Sequence, residues 1–167
     1  TRLVGSEMCI RDSIYTARDA AHKRMLENLH KGIALPVDLK DQTIYFAGPA
    51  PAKPNEPIGS VGPTTSYRMD AYSPETIELG LTCMIGKGAR SKEVVDAMKK
   101  YGAVYIGAVG GAGALISQCV KKCEVVDYAD LGSEAIHRLE VVDFPGIVII
   151  DSEGNNLYET EPPKYKK

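Results

Sequence analysis

Hydrophobic positions along the chain fall into two alternating patterns. Short apolar and β-branched runs, typical of buried strands, are QTIYFAG, CMIGKG, AVYIGAV, CEVVDYADL and GIVIIDSEGNNLY. Segments with helical character lie between them, namely residues 17–30, a segment from Pro74, residues 91–100, GGAGALISQCVKK and SEAIHRL. Strand, glycine turn and helix repeat in this order. The pattern predicts an α/β layered domain with a mixed, partly parallel sheet and flanking helices.

Capping and breaking residues set the expected ends of these helices. Gly32 and then Pro36 end the first helix. Ser73 is expected to cap the helix that starts at Pro74, because proline is favoured in the first helical turn. Ser91 is expected to cap the helix that runs to residue 100.

A long loop rich in proline and glycine, GPAPAKPNEPIGSVGPTTS, follows the first of these strands. Loops of this length without secondary structure are usually functional or disordered. The prolines stiffen the backbone and the charges are few, so we expect an ordered functional loop. Functional loops of α/β sheets gather at the carboxyl ends of strands. The candidates here are the loops after Ala47, Ile85 and Val109.

The N-terminal stretch LVGSEMCIRDS, residues 3–13, has no clear helical or strand period and no apolar run long enough for a signal peptide. Its codons can be written as those of a transposase-type sequencing adapter read in frame; the alternative is an ordinary flexible N-terminus. We expect residues 1–13 to be a non-native scar, disordered or loosely attached, that replaces the native start. Residues 14–160 then form the domain, and residues 161–167 form a flexible tail.

Composition narrows the classes of function. The chain is 44% hydrophobic and 25% charged, with a net charge of −2, as in a soluble globular protein. A nucleic-acid partner is not expected, because the chain lacks a long basic run and an aromatic-rich basic face. A membrane span is not expected either, because no segment has the roughly 18 apolar residues that it would need.

The cysteines do not have the spacing of a metal site. Without Cys9, which lies in the predicted scar, an odd set of Cys83, Cys119 and Cys123 remains, unlike a secreted disulfide framework. Cys119 and Cys123 are four residues apart in a predicted helix, outside any C-x-x-C pattern. We therefore expect no metal or cluster site in this chain, and free thiols in a reducing cytoplasm.

The glycine-rich stretch GAVGGAGA resembles a dinucleotide-binding turn only superficially. Its glycines at positions 107, 110, 111 and 113 do not form G-x-G-x-x-G, and no acidic residue follows in the required position. A close-packed strand-to-helix turn is the favoured interpretation. Its backbone N–H groups could still face an anion.

Two clusters of polar residues each allow a structural and a functional interpretation. In TARDAAHK, Arg18 and His22 share a helix face. Spacing alone favours a surface ion-pair face, although a guanidinium at a helix start can also bind a carboxylate. In GPTTSYRMD, Thr64, Thr65 and Arg68 follow a Gly-Pro turn, which indicates either an anion-binding loop or a turn that caps the next element.

A third cluster places Lys87 between two glycines at the predicted end of a strand, in IGKG. A lysine there, free of bulky neighbours, suits a phosphate or a carboxylate. Arg18, Arg68 and Lys87 together are three cations near loops. The residues themselves therefore predict a site for a small polyanion, such as a dicarboxylate.

Several motifs in fixed order resemble the class I fumarase family. They are YTARDAAHKRM, GPAPA, IGSVGPTTSYRMD, IGKG, GAVGG and EAIHRLEVVDFPGIVIID. The chain is most similar to the β subunit, or C-terminal domain, of iron–sulfur hydro-lyases, a family that includes fumarate hydratase and L-tartrate dehydratase. The resemblance runs from about residue 14 to residue 158. It implies a swivelling-type α/β domain.

The same resemblance implies a partner and a cofactor. A separate α subunit would hold the catalytic 4Fe–4S cluster through its own cysteines, and this chain would hold no metal, in a hetero-oligomer. The reaction would add water to, or remove it from, a small dicarboxylic acid. The family normally has a strand directly before YTARD, at the position of the predicted scar.

The resemblance also implies roles for individual residues. Arg18 would grip a substrate carboxylate, and Arg68 and Lys87 would complete the anion site. Thr64 would be the proton-transfer base, with Thr65 beside it. His22 would either orient Arg18 or bind substrate.

Three functions remain open at this point. The first is the β subunit of a hydro-lyase that converts fumarate to malate. The second is the same role in an L-tartrate dehydratase, and the third is a non-catalytic domain that binds a small dicarboxylate. The substrate's hydroxyl groups would be recognised largely by the α subunit, so this chain does not separate the first two.

Overall fold

The computed structural model describes residues 4–108 and 113–160. Its strands are β1 (Glu7–Thr16), β2 (Thr43–Tyr45), β3 (Cys83–Gly86), β4 (Val104–Gly107), β5 (Val120–Asp127) and β6 (Ile136–Ile150). Its α-helices are α1 (Asp19–His30), α2 (Ser73–Glu78), α3 (Lys92–Tyr101), α4 (Gly113–Ser117) and α5 (Leu157–Thr160). Short 3-10 helices span Ser66–Met69 and Ala129–Glu134.

The strands form one mixed sheet that closes on itself. β1, β2, β3 and β4 pair in parallel in that order. The long strand β6 runs antiparallel to β4, β1 and β5, so that β1–β2–β3–β4–β6 makes a ring and β5 extends it outside. The predicted α/β fold with a mixed, partly parallel sheet and flanking helices is thereby confirmed.

Alternating side chains divide the core into two layers. Ile44, Met84 and Tyr105 point from β2, β3 and β4 into a cluster with the helices, which includes Met25 of α1 and Met98 of α3. Their neighbours Tyr45, Ile85 and Ile106 point to the other face, where they meet β1 and β6 through Ile14, Leu139 and Phe144. This period of two is what a parallel sheet with both faces covered requires.

The predicted Ser91 cap is confirmed, and α1 and α3 lie within two residues of their predicted bounds. Ser91 caps α3, because its side chain accepts a hydrogen bond from the Val94 N–H group at 3.4 Å. Gly102 ends that helix in the left-handed conformation, with φ of 83°. α1 starts two residues later than predicted, since Arg18 occupies the N-cap position in an extended conformation.

Other local predictions are wrong. Ser73 does not cap α2: it lies inside the helix, and its hydroxyl donates to the Met69 carbonyl oxygen. SEAIHRL is not one helix: its first two residues end a 3-10 helix, and from Ile136 the segment belongs to β6 and pairs with β5. The helix in GGAGALISQCVKK ends at Ser117, because β5 begins at residue 120, whereas the strand predicted at CEVVDYADL is present in β5, so Cys123 is not in a helix. In the last two cases strand pairing with distant residues overrides local propensity.

The N-terminal stretch is ordered from residue 7, contrary to expectation. Glu7, Met8, Cys9 and Ile10 pair with β6 from Ile147 back to Phe144, and the strand continues after an irregularity through Asp12. Most side chains of residues 7–13 are exposed or half-buried, whereas Ile14 is fully buried. Backbone ladder bonds need no particular side chain, so a sequence not selected to pack can occupy this edge. Its adapter origin stays a prediction, which the sequence of the source locus decides.

His22 lies on the buried face of α1 and is 0% exposed. Its Nδ1–H donates to the Arg18 carbonyl oxygen at 2.8 Å, and its ring packs against Phe46 and Tyr72 at centroid distances of 5.5 and 6.1 Å. Burial lowers the pKa of His22 to about 4; the nearby Arg90 lowers it as well, while the bond to Arg18 and the Asp19 carboxylate oppose the shift. The imidazole is therefore neutral near pH 7.

The buried neutral histidine should make the fold sensitive to acid. In the unfolded chain His22 takes up a proton near pH 6.5, whereas the folded chain resists until about pH 4. Unfolding is therefore increasingly favoured as the pH falls through this window, by up to about 3 kcal/mol from this group. Urea unfolding between pH 4 and pH 7 should show a smaller loss of stability for His22→Gln than for wild type. The matched control is His30→Gln, whose histidine is exposed. Equal pH slopes for all three proteins would contradict this.

Candidate functional site

The carboxyl ends of β1, β2 and β3 lie together at one edge of the parallel sheet. The Ala17 N–H group donates to the Tyr45 carbonyl oxygen at 3.2 Å, and the Phe46 N–H group donates to the Ile85 carbonyl oxygen at 2.8 Å. The residues that directly follow these strands must therefore be neighbours. The loops after the carboxyl ends of parallel strands are the usual place for ligands in α/β proteins, and these loops lie at that end of the four parallel strands.

Arg18 is the second residue after β1 and lies over the start of the proline-rich loop. A side chain on Gly48 would begin 3.1 Å from the Arg18 Cδ atom and 3.0 Å from the Ser133 carbonyl oxygen. A side chain at position 48 would therefore force Arg18 or the Ser133 backbone to shift by a few tenths of an ångström. The close contact with Arg18 and Ser133 thus explains why the GPAPA motif begins with glycine.

The Arg18 guanidinium has acidic neighbours but no close partner. Its Nε atom lies 3.8 Å from Asp19 Oδ1 and 3.7 Å from Glu134 Oε1. Both distances exceed hydrogen-bond range. Arg18 Nε and Asp19 Oδ1 are buried, and neither has a hydrogen-bond partner in the described part of the chain. With its side chain 27% exposed, Arg18 can still donate to an incoming carboxylate.

Residues 64–66 lie across the ends of β2 and β3. The Thr64 N–H group donates to the Phe46 carbonyl oxygen at 2.7 Å, and the Ser66 N–H group donates to the Lys87 carbonyl oxygen at 2.9 Å. Thr65 and Lys87 form a parallel bridge. Thr64 and Thr65 are half-buried, so their side chains remain accessible.

Lys87 follows β3 in a conformation set by its two flanking glycines. A Cβ atom on Gly86 would collide with Ser66 Oγ, and Gly88 has φ of 86°. These two constraints bring residues 64–66 and the strand end into direct contact. Lys87 itself is half-buried. Within residues 4–108 and 113–160, its ammonium group makes no ion pair with a carboxylate.

Arg68 lies in the 3-10 helix Ser66–Met69, directly after the threonines, and its side chain is exposed. It too lacks an ion pair with any carboxylate in the part of the chain that the structure describes. The chain segments that carry Arg18, Thr64, Thr65 and Lys87 thus share one edge, and Arg68 lies one short turn beyond it.

His22 is placed behind this edge rather than on it. Its Nδ1–H group donates to the backbone carbonyl oxygen of Arg18 and not to its guanidinium. The role of His22, orienting Arg18 or binding substrate, stays a prediction. Its Nε2 atom is buried and accepts no hydrogen bond from the described residues. A fully buried neutral imidazole is poorly placed to contact a ligand in this arrangement.

Sequence reasoning missed a buried network directly behind the site. Arg90 donates from Nε to Asp70 Oδ1 at 2.7 Å and from Nη2 to Ser73 Oγ at 2.7 Å. The Tyr105 hydroxyl reaches Ser66 Oγ at 2.8 Å, and burial raises the pKa of Tyr105 to about 12, so it stays protonated. Arg90 directly precedes the Ser91 cap of α3, where a cation opposes the helix dipole; this position is unusual but does not indicate where the side chain lies.

The cysteines do not form a site for an iron–sulfur cluster. Among the described residues, no group of three or more Cys, His, Asp and Glu side chains is arranged to hold a metal ion. Burial raises the pKa of Cys83 to about 12, and it also raises the pKa of Cys119 and Cys123. These three side chains instead pack against the apolar cluster between the parallel strands and β6.

The structure says little about the glycine-rich stretch and reports on possible membrane spans only for the described helices. The anion-binding possibility of GAVGGAGA falls mainly on residues 109–112, outside the described residues. Among the helices that are described, none is long and apolar enough to cross a lipid bilayer.

Known proteins with similar sequences identify the family of this chain. A family model described as "Fumarase C-terminus" matches residues 2–161. The chain is 40% identical over 158 residues to "Fumarate hydratase class I, aerobic" of Salmonella typhimurium, covering 93% of this chain and 27% of that protein. It is 41% identical over 162 residues to "Fumarate hydratase 1, mitochondrial" of Leishmania major, covering 93% of this chain and 29% of that protein.

A third relative is close to this chain in length. "Putative L(+)-tartrate dehydratase subunit beta" of Methanocaldococcus jannaschii is 43% identical over 162 residues, which covers 93% of this chain and 83% of that protein. The chain thus spans less than a third of the two fumarate hydratases but most of this subunit. The family resemblance of the motifs is confirmed, and the chain belongs to the fumarase C-terminus family.

Proposed function

We propose that this chain is the substrate-positioning part of an iron–sulfur hydro-lyase that interconverts fumarate and malate. The observation that carries the proposal is that backbone contacts bring the segments of Arg18, Thr64 and Lys87 to one edge of the sheet, with Lys87 in no ion pair among the described residues and Arg18 in only two long ones. A partner subunit or domain would hold the 4Fe–4S cluster, because this chain's described cysteines do not fit it. Its free cysteines also suit a reducing cytoplasm.

A dicarboxylate fits the charge at this edge. Two carboxylates need cations at two separated points, and Arg18 follows β1 whereas Lys87 follows β3, with β2 between them. Arg18 can hold one carboxylate through paired hydrogen bonds, while Lys87 acts as a point charge for the other end. Arg68, exposed on its 3-10 helix, is the third cation of the proposed site.

Thr64 is the proposed proton-transfer residue, with Thr65 beside it. A free threonine hydroxyl is far too weak a base, so it needs cations nearby to favour its ionised form. Lys87 is the cation whose backbone is linked to this segment, through the bridge to Thr65. The hydrogen bond of the Thr64 N–H group to the Phe46 carbonyl oxygen fixes the backbone from which the hydroxyl projects.

L-tartrate is the second candidate substrate. The observation that favours it is the tartrate dehydratase relative, which is matched over 83% of its length. In the two fumarate hydratases, the region similar to this chain is less than a third of a longer protein. We infer that the part corresponding to the partner can also belong to the same polypeptide. The chemistry proposed for Arg18, Lys87 and Thr64 is the same for both substrates.

The reconstituted assembly tests the function directly. The chain should be expressed with a native N-terminus, and its cluster-bearing partner should be taken from the same genome. We expect no turnover by this chain alone after anaerobic addition of iron and sulfide, and hydration of fumarate or dehydration of L-tartrate by the assembly. Cluster formation with turnover in the isolated chain would refute the division of roles. Dicarboxylate binding without turnover by a cluster-loaded assembly would indicate the non-catalytic alternative.

Replacing Arg18 should weaken substrate binding. Arg18→Ala removes a charge-assisted hydrogen-bonding partner worth about 1.5–3 kcal/mol, so KM should rise by roughly tenfold to a hundredfold. The matched control is Arg24→Ala on the same helix, whose arginine binds Asp130 at the surface. The control should leave KM within about twofold of wild type. An equal change in both variants would show that Arg18 acts only through the helix.

Replacing Thr64 should abolish turnover while leaving binding in place. Thr64→Val keeps the shape and the N–H bond to Phe46 but removes the hydroxyl, so kcat should fall at least a hundredfold, at the low end of general acid–base contributions. The binding of succinate, a dicarboxylate that cannot be hydrated, should change by less than about threefold. Thr82→Val, at the opposite end of β3, is the control. A kcat within a few-fold of wild type would assign proton transfer to another group.

A further inference from the structure

Arg90 is a fully buried cation enclosed by aromatic rings. Its side chain is 0% exposed, and its Cζ atom lies 5.1 Å from the Phe46 ring centroid and 5.0 Å from that of Tyr105. Its guanidinium donates to Asp70, to Ser73 and, at 3.3 Å, to the Met84 sulfur. Every guanidinium nitrogen therefore has a partner inside the fold.

Stability alone does not account for such a group. Removing a guanidinium from water is costly, and apolar residues of similar volume often replace a buried ion pair without loss of stability. The pair lies beside the fully buried Met69 and Met84, in a part of the core that also holds the buried hydroxyls of Ser66 and Ser73. A buried ion pair at this position therefore requires an explanation from what it connects.

The pair connects the two loops of the proposed site. Asp70 directly follows the 3-10 helix of Arg68, and Arg90 ends the loop that begins at Lys87. The second Asp70 oxygen accepts the Ser91 N–H group at 2.7 Å. One carboxylate thus fixes the end of the threonine segment to the start of α3.

Tyr105 provides a second connection between the same loops. Its hydroxyl donates to the Gly88 carbonyl oxygen at 2.9 Å and shares a hydrogen bond with Ser66 Oγ at 2.8 Å. The cation of Arg90 lies over the ring that carries this hydroxyl. The Ser66 N–H group also donates to the Lys87 carbonyl oxygen. These contacts join the segment that contains Ser66 to the loop that begins at Lys87.

We propose that Arg90 is a positioning residue: with Asp70 and Tyr105, it fixes residues 64–68 and Lys87 in one relative arrangement so that the threonine hydroxyl and the cations face the same ligand. Its effect on the reaction rests on the function proposed above. Its effect on loop geometry stands on the contacts alone. The two effects can therefore be measured separately.

A double variant separates positioning from stability. In the assembly with the cluster-bearing partner, Arg90→Met and Asp70→Asn should each lower Tm, because each leaves one unpaired charge in a largely buried place. The double variant removes both charges and should recover at least half of that loss. Its kcat/KM should nevertheless stay at least tenfold below wild type. Recovery of kcat/KM together with Tm would overturn the proposal.

Two further variants distinguish a loss of loop positioning from a general loss of stability. Met98→Ala opens a cavity in the core behind α3 without touching either loop, so it should lower Tm but keep kcat/KM within about twofold at temperatures where it is folded. Tyr105→Phe keeps the ring and removes only the hydroxyl. It leaves two largely buried polar groups without their partner, so it should lower Tm, but by no more than Met98→Ala does, and it should lower kcat at least fivefold. Wild-type kcat in Tyr105→Phe would count against the proposal.

Hydrogen exchange tests the geometry without any turnover. In Tyr105→Phe and in the double variant, peptides from residues 64–70 and 87–91 should exchange at least fivefold faster than in wild type. A peptide from residues 137–141 of β6, paired with β1 and β5, should change by less than twofold and serves as the internal reference. If the wild-type assembly converts no dicarboxylate, the proposed function fails, and these exchange rates decide the positioning role. Unchanged exchange in both loop peptides would overturn it.

Discussion

Parallel pairing of β1, β2 and β3 is the constraint on which the rest of the site depends. Because the three strands run in the same direction, the residues after Thr16, Tyr45 and Gly86 emerge at one edge. Arg18 and Lys87 are 69 positions apart in sequence yet lie on strands separated only by β2. A single reversed strand would send one of these cations to the opposite end of the sheet.

The long strand β6 makes this parallel arrangement stable. It covers the face of the sheet opposite the helices through Leu139, Phe144 and Val148, and it pairs with β1 and β4 at once. Every strand from β1 to β4 thereby has a neighbour on each side. Closure leaves few free ladder groups among the parallel strands, which protects them from pairing with other chains. The rigid scaffold in turn allows a site built largely from loops.

How much the sequence could predict depended on whether the signal was local. The strand at AVYIGAV and the Ser91 cap follow from patterns within a few residues, and both are present. SEAIHRL has helical character but joins β6, because its partners lie in β1 and β5, far away in sequence. The motifs identified Arg18 and Lys87 as candidates. No local pattern could show that Arg90 would lie beneath them, since its position depends on Phe46 and Tyr105 from two other segments.

The position of a bound dicarboxylate tests the central claim most directly. A crystal structure of the cluster-loaded assembly with succinate would show which side chains hold its carboxylates. We expect one carboxylate within hydrogen-bond distance of the Arg18 guanidinium and the other near Lys87, with the Thr64 hydroxyl facing the carbons between them. Succinate held only by partner residues, with Arg18 turned to Glu134, would contradict the proposed site.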